Sequence, residues 1–121
     1  MADVEVSKKN NDYIKKVKLL IEEKNWCDVF EQSQGFCIAC HHDNPLDMEF
    51  HHIGAKSNSD VVVSLCRNCH GRISRKQMKS WPDGWSYKNN KPQVVKDALV
   101  LRGISDLLRL ISDRSLERII Q

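Results

Sequence analysis

Four of the five cysteines form two pairs with the same spacing, Cys37-x-x-Cys40 and Cys66-x-x-Cys69. A two-residue spacer lets one tight turn direct both sulfurs to a single ion, and zinc is commonly held tetrahedrally by four thiolates. The pattern therefore predicts a structural zinc site that uses all four ligands and leaves no coordination position for chemistry. Cys27 lies outside both pairs, and we expect it to be a small buried apolar residue.

Three of the five histidines lie close to this cysteine pattern. His51 and His52 are adjacent in "EFHHI", and His70 directly follows Cys69. Neighbouring side chains of a strand point to opposite faces, so His51 and His52 can share one site only where the strand ends and the backbone bends. The polar loop "IGAKSNSD" permits that bend. A hydrated divalent cation bound by histidines that face each other across such a site would keep several coordination positions. A phosphate could bind at those positions.

The elements that must position these residues follow from the periodicity of the apolar side chains. A helix is predicted over residues 8–34, where apolar residues recur every three or four positions, and Gly35 ends it. Two short strands are predicted over 48–51 and 61–65, and a second helix runs from 67 to about 78. From about residue 93 the chain is again helical, with a break expected at Gly103.

These elements predict an α+β fold in one domain over residues 1–121. Its centre, residues 36–79, is a zinc-stabilised core made of a two-stranded hairpin plus a helix. The N-terminal helix over 8–34 and a C-terminal helical segment over 80–121 flank this core. The amino-terminal residues hold no apolar secretory segment and the apolar runs are too short for a bilayer, so we expect a cytoplasmic protein with no membrane contact.

The stretch "EFHHI", followed by "VVVSLCRNCHGRI" and preceded by a Cys-x-x-Cys pair, resembles the HNH endonucleases of the ββα-metal (His-Me finger) fold. The matching region runs from about residue 37 to residue 73, under a third of the chain. The resemblance implies that His52 is the general base, that His51 and His70 bind a catalytic Mg²⁺, Mn²⁺ or similar ion, and that the four cysteines hold structural zinc. It also implies hydrolysis of DNA to 5′-phosphate and 3′-hydroxyl ends.

One position departs from the pattern of that family. The middle Asn of these nucleases usually lies five residues before the first cysteine of the second pair, and here Val61 occupies that place. In the family this Asn braces the loop that carries the base. Asn58 and Asp60, both in the same loop, are the two candidates to replace it.

The basic charge of the chain is concentrated just after the histidine pair. Residues 53–91 carry eight Lys or Arg against two Asp or Glu, whereas residues 1–52 carry six against ten. A phosphate-binding surface needs such a concentration, although an ordinary solvated face would also produce it. The predicted nucleic-acid-binding residues are Lys56, Arg67, Arg72, Arg75 and Lys76.

The same sequence features also fit other functions and assemblies. A treble-clef zinc module without catalytic activity, binding nucleic acid or a protein partner, would show the same cysteines. A nuclease subunit that works only within a larger assembly is a second alternative. The apolar residues of the C-terminal helices form the core or, alternatively, a homodimer interface.

Two other pairs of residues have alternative roles. His41 and His42 directly follow Cys40, and they are either exposed loop residues or additional groups around the zinc. Trp81 and Trp85 flank a turn, and they either anchor that turn to the core or stack on unpaired bases.

Overall fold

The computed structural model of the chain describes residues 8–23, 35–82 and 90–120. In chain order it contains helix α1 (Lys8–Glu23), a short 3-10 helix (Pro45–Asp47), strands β1 (Met48–His52) and β2 (Val62–Cys66), and helices α2 (Arg67–Ser80) and α3 (Gln93–Ile120). The two strands pair into one antiparallel hairpin. Helices combined with this hairpin confirm the predicted α+β fold class.

Part of the sequence prediction concerns residues outside the described ranges. Helix α1 covers the first part of the helix predicted over 8–34. The remainder of that prediction, residues 24–34 with Cys27, falls outside the described residues, as does Trp85.

The hairpin sets the positions of both the histidine pair and the second cysteine pair. Its register places Met48 opposite Cys66 and His52 opposite Val62. The ladder continues one step further, because the Ile53 amide donates to the Val61 carbonyl at 2.9 Å. The β2 side chains are buried from its second residue onward, whereas β1 exposes two of its five residues. The hairpin is therefore anchored mainly through β2, and β1 exposes Glu49 and Phe50.

Helix α2 begins directly at the end of β2, with Cys66 as its N-cap. The Cys66 sulfur accepts from the Cys69 amide at 3.5 Å, so a residue of the second cysteine pair also caps the helix. Cys69, Ile73 and Gln77 form the buried face of α2. The cysteine pair thus fixes where the helix starts, and His70 lies within its first turn.

Helix α3 runs unbroken for 28 residues, so the break predicted at Gly103 is wrong. Gly103 is buried in the helix because the loop after β1 packs against it. A β-carbon built at Gly103 would overlap the Gly54 nitrogen and lie 3.0 Å from the Gly54 α-carbon. The glycine therefore permits close packing between helix and loop. Despite the length of α3, none of the helices in the described ranges is long and apolar enough to cross a bilayer.

The hydrophobic core lies between the hairpin, α2 and the middle of α3. Trp81 is 6% exposed, and its indole Nε1 donates to Asp106 of α3 at 2.8 Å. Of its two alternative roles, Trp81 therefore takes the one that anchors the turn to the core. The buried apolar residues of this core include Cys37, Ala39, Ile53, Val63, Leu65, Cys69, Ile73, Val100, Ile104, Leu107 and Leu110.

We expect Gly103→Ala to destabilise the fold by about 1–3 kcal/mol, because its methyl group would force the Gly54 backbone away from α3. Gly71→Ala in α2 is the matched control. A β-carbon there would meet only the flexible end of Arg75 at 3.2 Å. This control should stabilise the protein by about 0.5–1 kcal/mol, since alanine is the better helix former. Urea denaturation of both variants checks this, and equal midpoints would contradict the close packing.

Candidate functional site

The four cysteines predicted to bind zinc converge on one point. The sulfurs of Cys37, Cys40, Cys66 and Cys69 all lie within 4.8 Å of one another. A tetrahedral zinc ion with Zn–S bonds of about 2.3 Å holds its sulfurs about 3.8 Å apart, and the Cys40 and Cys66 sulfurs are 3.7 Å apart. The cluster can therefore hold a metal ion such as zinc. Within the described ranges, it is the one group of three or more ligand-type side chains with this proximity.

Each cysteine pair is held by its own backbone turn. In the first, the His41 amide donates to the Cys37 carbonyl and the Cys37 amide donates to the His42 carbonyl, both at 2.8 Å. His41 takes a positive φ of 65°, which tightens the chain after Cys40. In the second pair, the first turn of α2 brings Cys66 and Cys69 together. A tight turn and a helix start thus direct four sulfurs to one place.

The thiol pKa values indicate how strongly these groups interact. A hydrogen bond from Cys69 is the largest influence on the pKa of Cys37 and lowers it to about 4. The same hydrogen bond is the largest cause that raises the pKa of Cys69, and burial raises the pKa of Cys66. One thiolate is therefore favoured at the expense of its neighbours. A bound cation is what would allow all four to ionise together.

The C-terminal half of α3 lies next to the cysteine cluster. The sequence did not predict this contact. Arg118 donates to the Ala39 carbonyl, between the first two cysteines, at 3.0 Å. Arg114 lines a cleft beside Cys40 and Cys66. Arg118 and Ala39 are 79 residues apart in sequence, so no local pattern could have revealed the contact.

His51 and His70 lie next to each other beside the hairpin. Their ring centroids are 5.3 Å apart, and the rings meet edge to face at 68°. His51 is 5% exposed. Its Nε2 is enclosed and has no hydrogen-bond partner among the described residues. A buried polar atom left without a partner costs about 1–3 kcal/mol, so this nitrogen fits a metal ligand.

The protonation state of His51 suits the same role. Burial, followed by the neighbouring His70 and His52, lowers the pKa of His51 to about 4. His51 is therefore neutral throughout the physiological pH range. A neutral imidazole can bind a metal ion without first releasing a proton.

Glu49 contacts His70, which the sequence did not predict. Its Oε1 lies 3.0 Å from His70 Nδ1. Glu49 and His51 are two residues apart in β1, so strand alternation places both on the same face. This two-residue spacing is the sequence signal that could have identified Glu49. A strand residue two positions from a candidate metal ligand lies on the same face of the strand.

His52 occupies the last position of β1, where it is half-buried. Because β1 includes both histidines, alternation places His52 on the face opposite His51. The first strand was predicted to end at residue 51, but β1 continues through His52, and the bend follows only at Ile53 and Gly54, where Gly54 has φ +80°. His52 is still close enough to His51 to affect its pKa.

The loop after His52 is held by Asn58, one of the two candidates for the missing family Asn. Asn58 Nδ2 donates to the Gly54 carbonyl at 2.5 Å. The Ala55 amide donates to the His52 carbonyl at 3.2 Å, so the turn also holds the backbone of the candidate base. Asp60 is exposed. Of the two candidates, Asn58 is therefore the one whose side chain binds the backbone of this loop.

The five predicted nucleic-acid-binding residues differ in their surroundings. Arg72 pairs with Glu117 at 3.0 Å, and Lys76 pairs with Asp106 at 3.5 Å, both acids of α3. Lys76 is nevertheless exposed, as are Lys56, Arg67 and Arg75. Acidic side chains of α3 therefore offset part of the positive charge that the sequence concentrates here.

His41 and His42 follow the first cysteine pair without joining the cluster. Both are exposed. His42 Nε2 lies 2.7 Å from the Asp47 carboxylate, which belongs to the short 3-10 helix. Both are therefore exposed loop residues, and His42 also lines the cleft beside Cys40 and Cys66.

Comparison of the chain with protein-family models, curated proteins and solved structures gives no match.

Proposed function

We propose that the chain is a divalent-metal-dependent HNH endonuclease that hydrolyses phosphodiester bonds in DNA. The observation that carries this proposal is the His51–His70 pair, with its buried and unpartnered His51 Nε2. The pair forms where a hairpin meets a helix that starts at a four-cysteine cluster.

The proposed catalytic cation would be held by His51 and His70. Imidazole suits several divalent ions, and two protein ligands leave coordination positions for water and a phosphate oxygen. When bound, the cation would stabilise the negative charge that develops on the phosphate and on the leaving oxygen. The neutral state of His51 keeps its nitrogen available for this purpose at physiological pH.

His52 is the proposed general base. Histidine both accepts and releases a proton near neutral pH, so it can take a proton from the water that attacks the phosphorus. The contacts that support this role are those of the following turn, in which Asn58 binds the Gly54 carbonyl and Ala55 binds the His52 carbonyl. They fix the backbone on the carboxyl side of the base.

The four-cysteine cluster is proposed to bind zinc as a structural ion. Four thiolates complete the tetrahedral set, so no coordination position remains for water or substrate. The ion would hold the start of α2, and with it His70, against the first cysteine pair. The metal that stabilises the fold and the metal that acts on the phosphate are therefore distinct in this proposal.

A plasmid-nicking assay tests the function directly. We expect zinc-loaded protein to nick supercoiled DNA when Mg²⁺ or Mn²⁺ is added and to stop when EDTA is added. Zinc content measured before and after the assay shows whether EDTA removed only the catalytic ion. A protein that retains zinc and binds DNA but never nicks it in any divalent metal would contradict the proposal.

That contrary result would favour the alternative, a treble-clef zinc module without catalytic activity. Two observations support this alternative: Val61 stands where the nuclease family has Asn, and alternation places His52 on the face of β1 opposite His51. Such a module would use its basic residues to bind nucleic acid, or a different surface to bind a protein.

Binding to DNA should depend on the exposed basic residues. We expect affinity to fall steeply with salt, because each Lys or Arg that contacts a phosphate releases counterions. Arg75→Ala should weaken binding to unrelated DNA sequences alike and reduce the slope of log affinity against log salt by about 1. Lys15→Ala, the same change of charge on the exposed face of α1, is the matched control.

Fluorescence anisotropy over a salt series measures both effects. Equal losses in Arg75→Ala and Lys15→Ala would show that binding follows net charge and not a defined surface. Binding that does not change with salt would contradict a phosphate-binding role altogether.

A further inference from the structure

The contact between Glu49 and His70 joins β1 to α2 beside the proposed catalytic ion. Glu49 Oε1 lies 3.0 Å from His70 Nδ1, and the two side chains are 46% and 28% exposed. The partners are 21 residues apart in sequence. The contact therefore exists only because the hairpin and the helix pack together.

The backbone holds both partners of this contact in place. Glu49 is paired with Leu65 in the hairpin register, and Leu65 is completely buried. His70 lies in the first turn of α2, which Cys66 caps. The carboxylate thus extends from a strand fixed by the core toward a ring on a helix fixed by the cysteine cluster.

The chemistry of the contact selects one form of the His70 ring. A carboxylate accepts a hydrogen bond, so it favours the tautomer of imidazole that carries its proton on Nδ1. The lone pair then resides on Nε2. Metal-binding histidines are commonly oriented in this way, by a carboxylate on the ring nitrogen that does not bind the metal.

We propose that Glu49 is a positioning residue that orients His70 and holds its Nε2 ready to bind a divalent cation together with His51. This inference rests on the proposed function and adds a residue to its site. Glu49 acts through His70 in this proposal and is not itself a ligand. Its hydrogen bond, more than its charge, carries the effect.

Substitutions of Glu49 can separate the hydrogen bond from the charge. Glu49→Gln keeps an oxygen that accepts from Nδ1 but removes the charge, whereas Glu49→Ala removes both. Asp60→Asn removes one negative charge from an exposed position in the loop between the strands and is the matched control. His70→Ala, with zinc content checked, removes the proposed ligand itself.

Mn²⁺ binding to the full zinc-loaded chain, followed by electron paramagnetic resonance, is the first measurement. We expect Glu49→Ala to weaken Mn²⁺ binding about 10- to 100-fold, the usual effect of losing such a partner. Glu49→Gln should keep most of the affinity, and Asp60→Asn should bind as the unaltered protein does. Nitrogen NMR of the His70 ring before Mn²⁺ is added should show the Nδ1–H tautomer, with a smaller fraction in Glu49→Ala.

Three results would overturn the proposal, each in a distinguishable way. If Glu49→Gln lost as much affinity as Glu49→Ala, the charge of Glu49 or direct ligation would be responsible. If Glu49→Ala bound Mn²⁺ normally while His70→Ala did not, Glu49 would have no positioning role, and the proposed function would stand. If the unaltered protein bound no Mn²⁺, the proposed function would fail together with this inference.

Discussion

Cys69→Ser should lose the bound zinc and most of the folded structure of the protein. Structural zinc contributes about 10–16 kcal/mol of apparent free energy in small peptides at neutral pH, whereas the net stability of a whole domain is about 5–15 kcal/mol. Cys69 is completely buried, and its amide donates to the Cys66 sulfur at the start of α2. Its loss therefore removes a ligand where the helix must begin.

Circular dichroism together with zinc analysis measures this effect. Cys27→Ser is the matched control, because Cys27 lies outside both Cys-x-x-Cys pairs, and it should retain about one zinc per chain. Chelation of zinc from the unaltered protein should reproduce the unfolding of Cys69→Ser. A protein purified without zinc that unfolds cooperatively would contradict a structural role for the metal.

Replacement of His52 and His51 should abolish DNA cleavage for two different reasons. Loss of a positioned general base typically lowers the rate about 10²- to 10⁴-fold. His52→Ala should show that loss while it still binds zinc, DNA and Mn²⁺, and its residual rate should rise with pH because hydroxide partly replaces the base. His51→Ala should instead bind Mn²⁺ weakly, and excess Mn²⁺ should restore part of its rate.

Two further variants serve as controls for this comparison. His42→Ala changes an exposed histidine that contacts Asp47 and is not a proposed ligand or base, and its rate should be unchanged. His70→Ala should behave as His51→Ala does. Since His70 is next to Cys69, the zinc content of that variant must match the unaltered protein before the rates are compared.

The sequence predicted the features that depend on local spacing. The two-residue spacer in each cysteine pair predicted the four-cysteine cluster, because a tight turn or a helix start directs both sulfurs of a pair to one point. Alternation and β-branched residues located both strands to within one residue of their ends. The sequence analysis also expected His70 to face both His51 and His52 at one site. The rings of His51 and His70 are indeed 5.3 Å apart, but strand alternation places His52 on the opposite face of β1.

The features that the sequence did not predict depend on long-range packing. Glycine commonly ends a helix, and a break was therefore predicted at Gly103. Helix α3 nevertheless continues through Gly103, because the Gly54 backbone packs against that position. Arg118 reaches Ala39 across 79 residues, and no periodic pattern encodes such a contact. The ion pairs of Glu117 with Arg72 and of Asp106 with Lys76 were also not predicted. They form only when α2 and α3 pack together in the folded core.

The most direct test of the account is the ratio of two single-turnover rates, for His52→Ala and for the unaltered protein. Both are measured on supercoiled plasmid at saturating Mn²⁺, with equal zinc content and equal DNA binding. We predict that His52→Ala cleaves about 10²- to 10⁴-fold more slowly and that the unaltered protein leaves 5′-phosphate and 3′-hydroxyl ends. Cleavage by His52→Ala at the rate of the unaltered protein would contradict the assignment of His52 as the base.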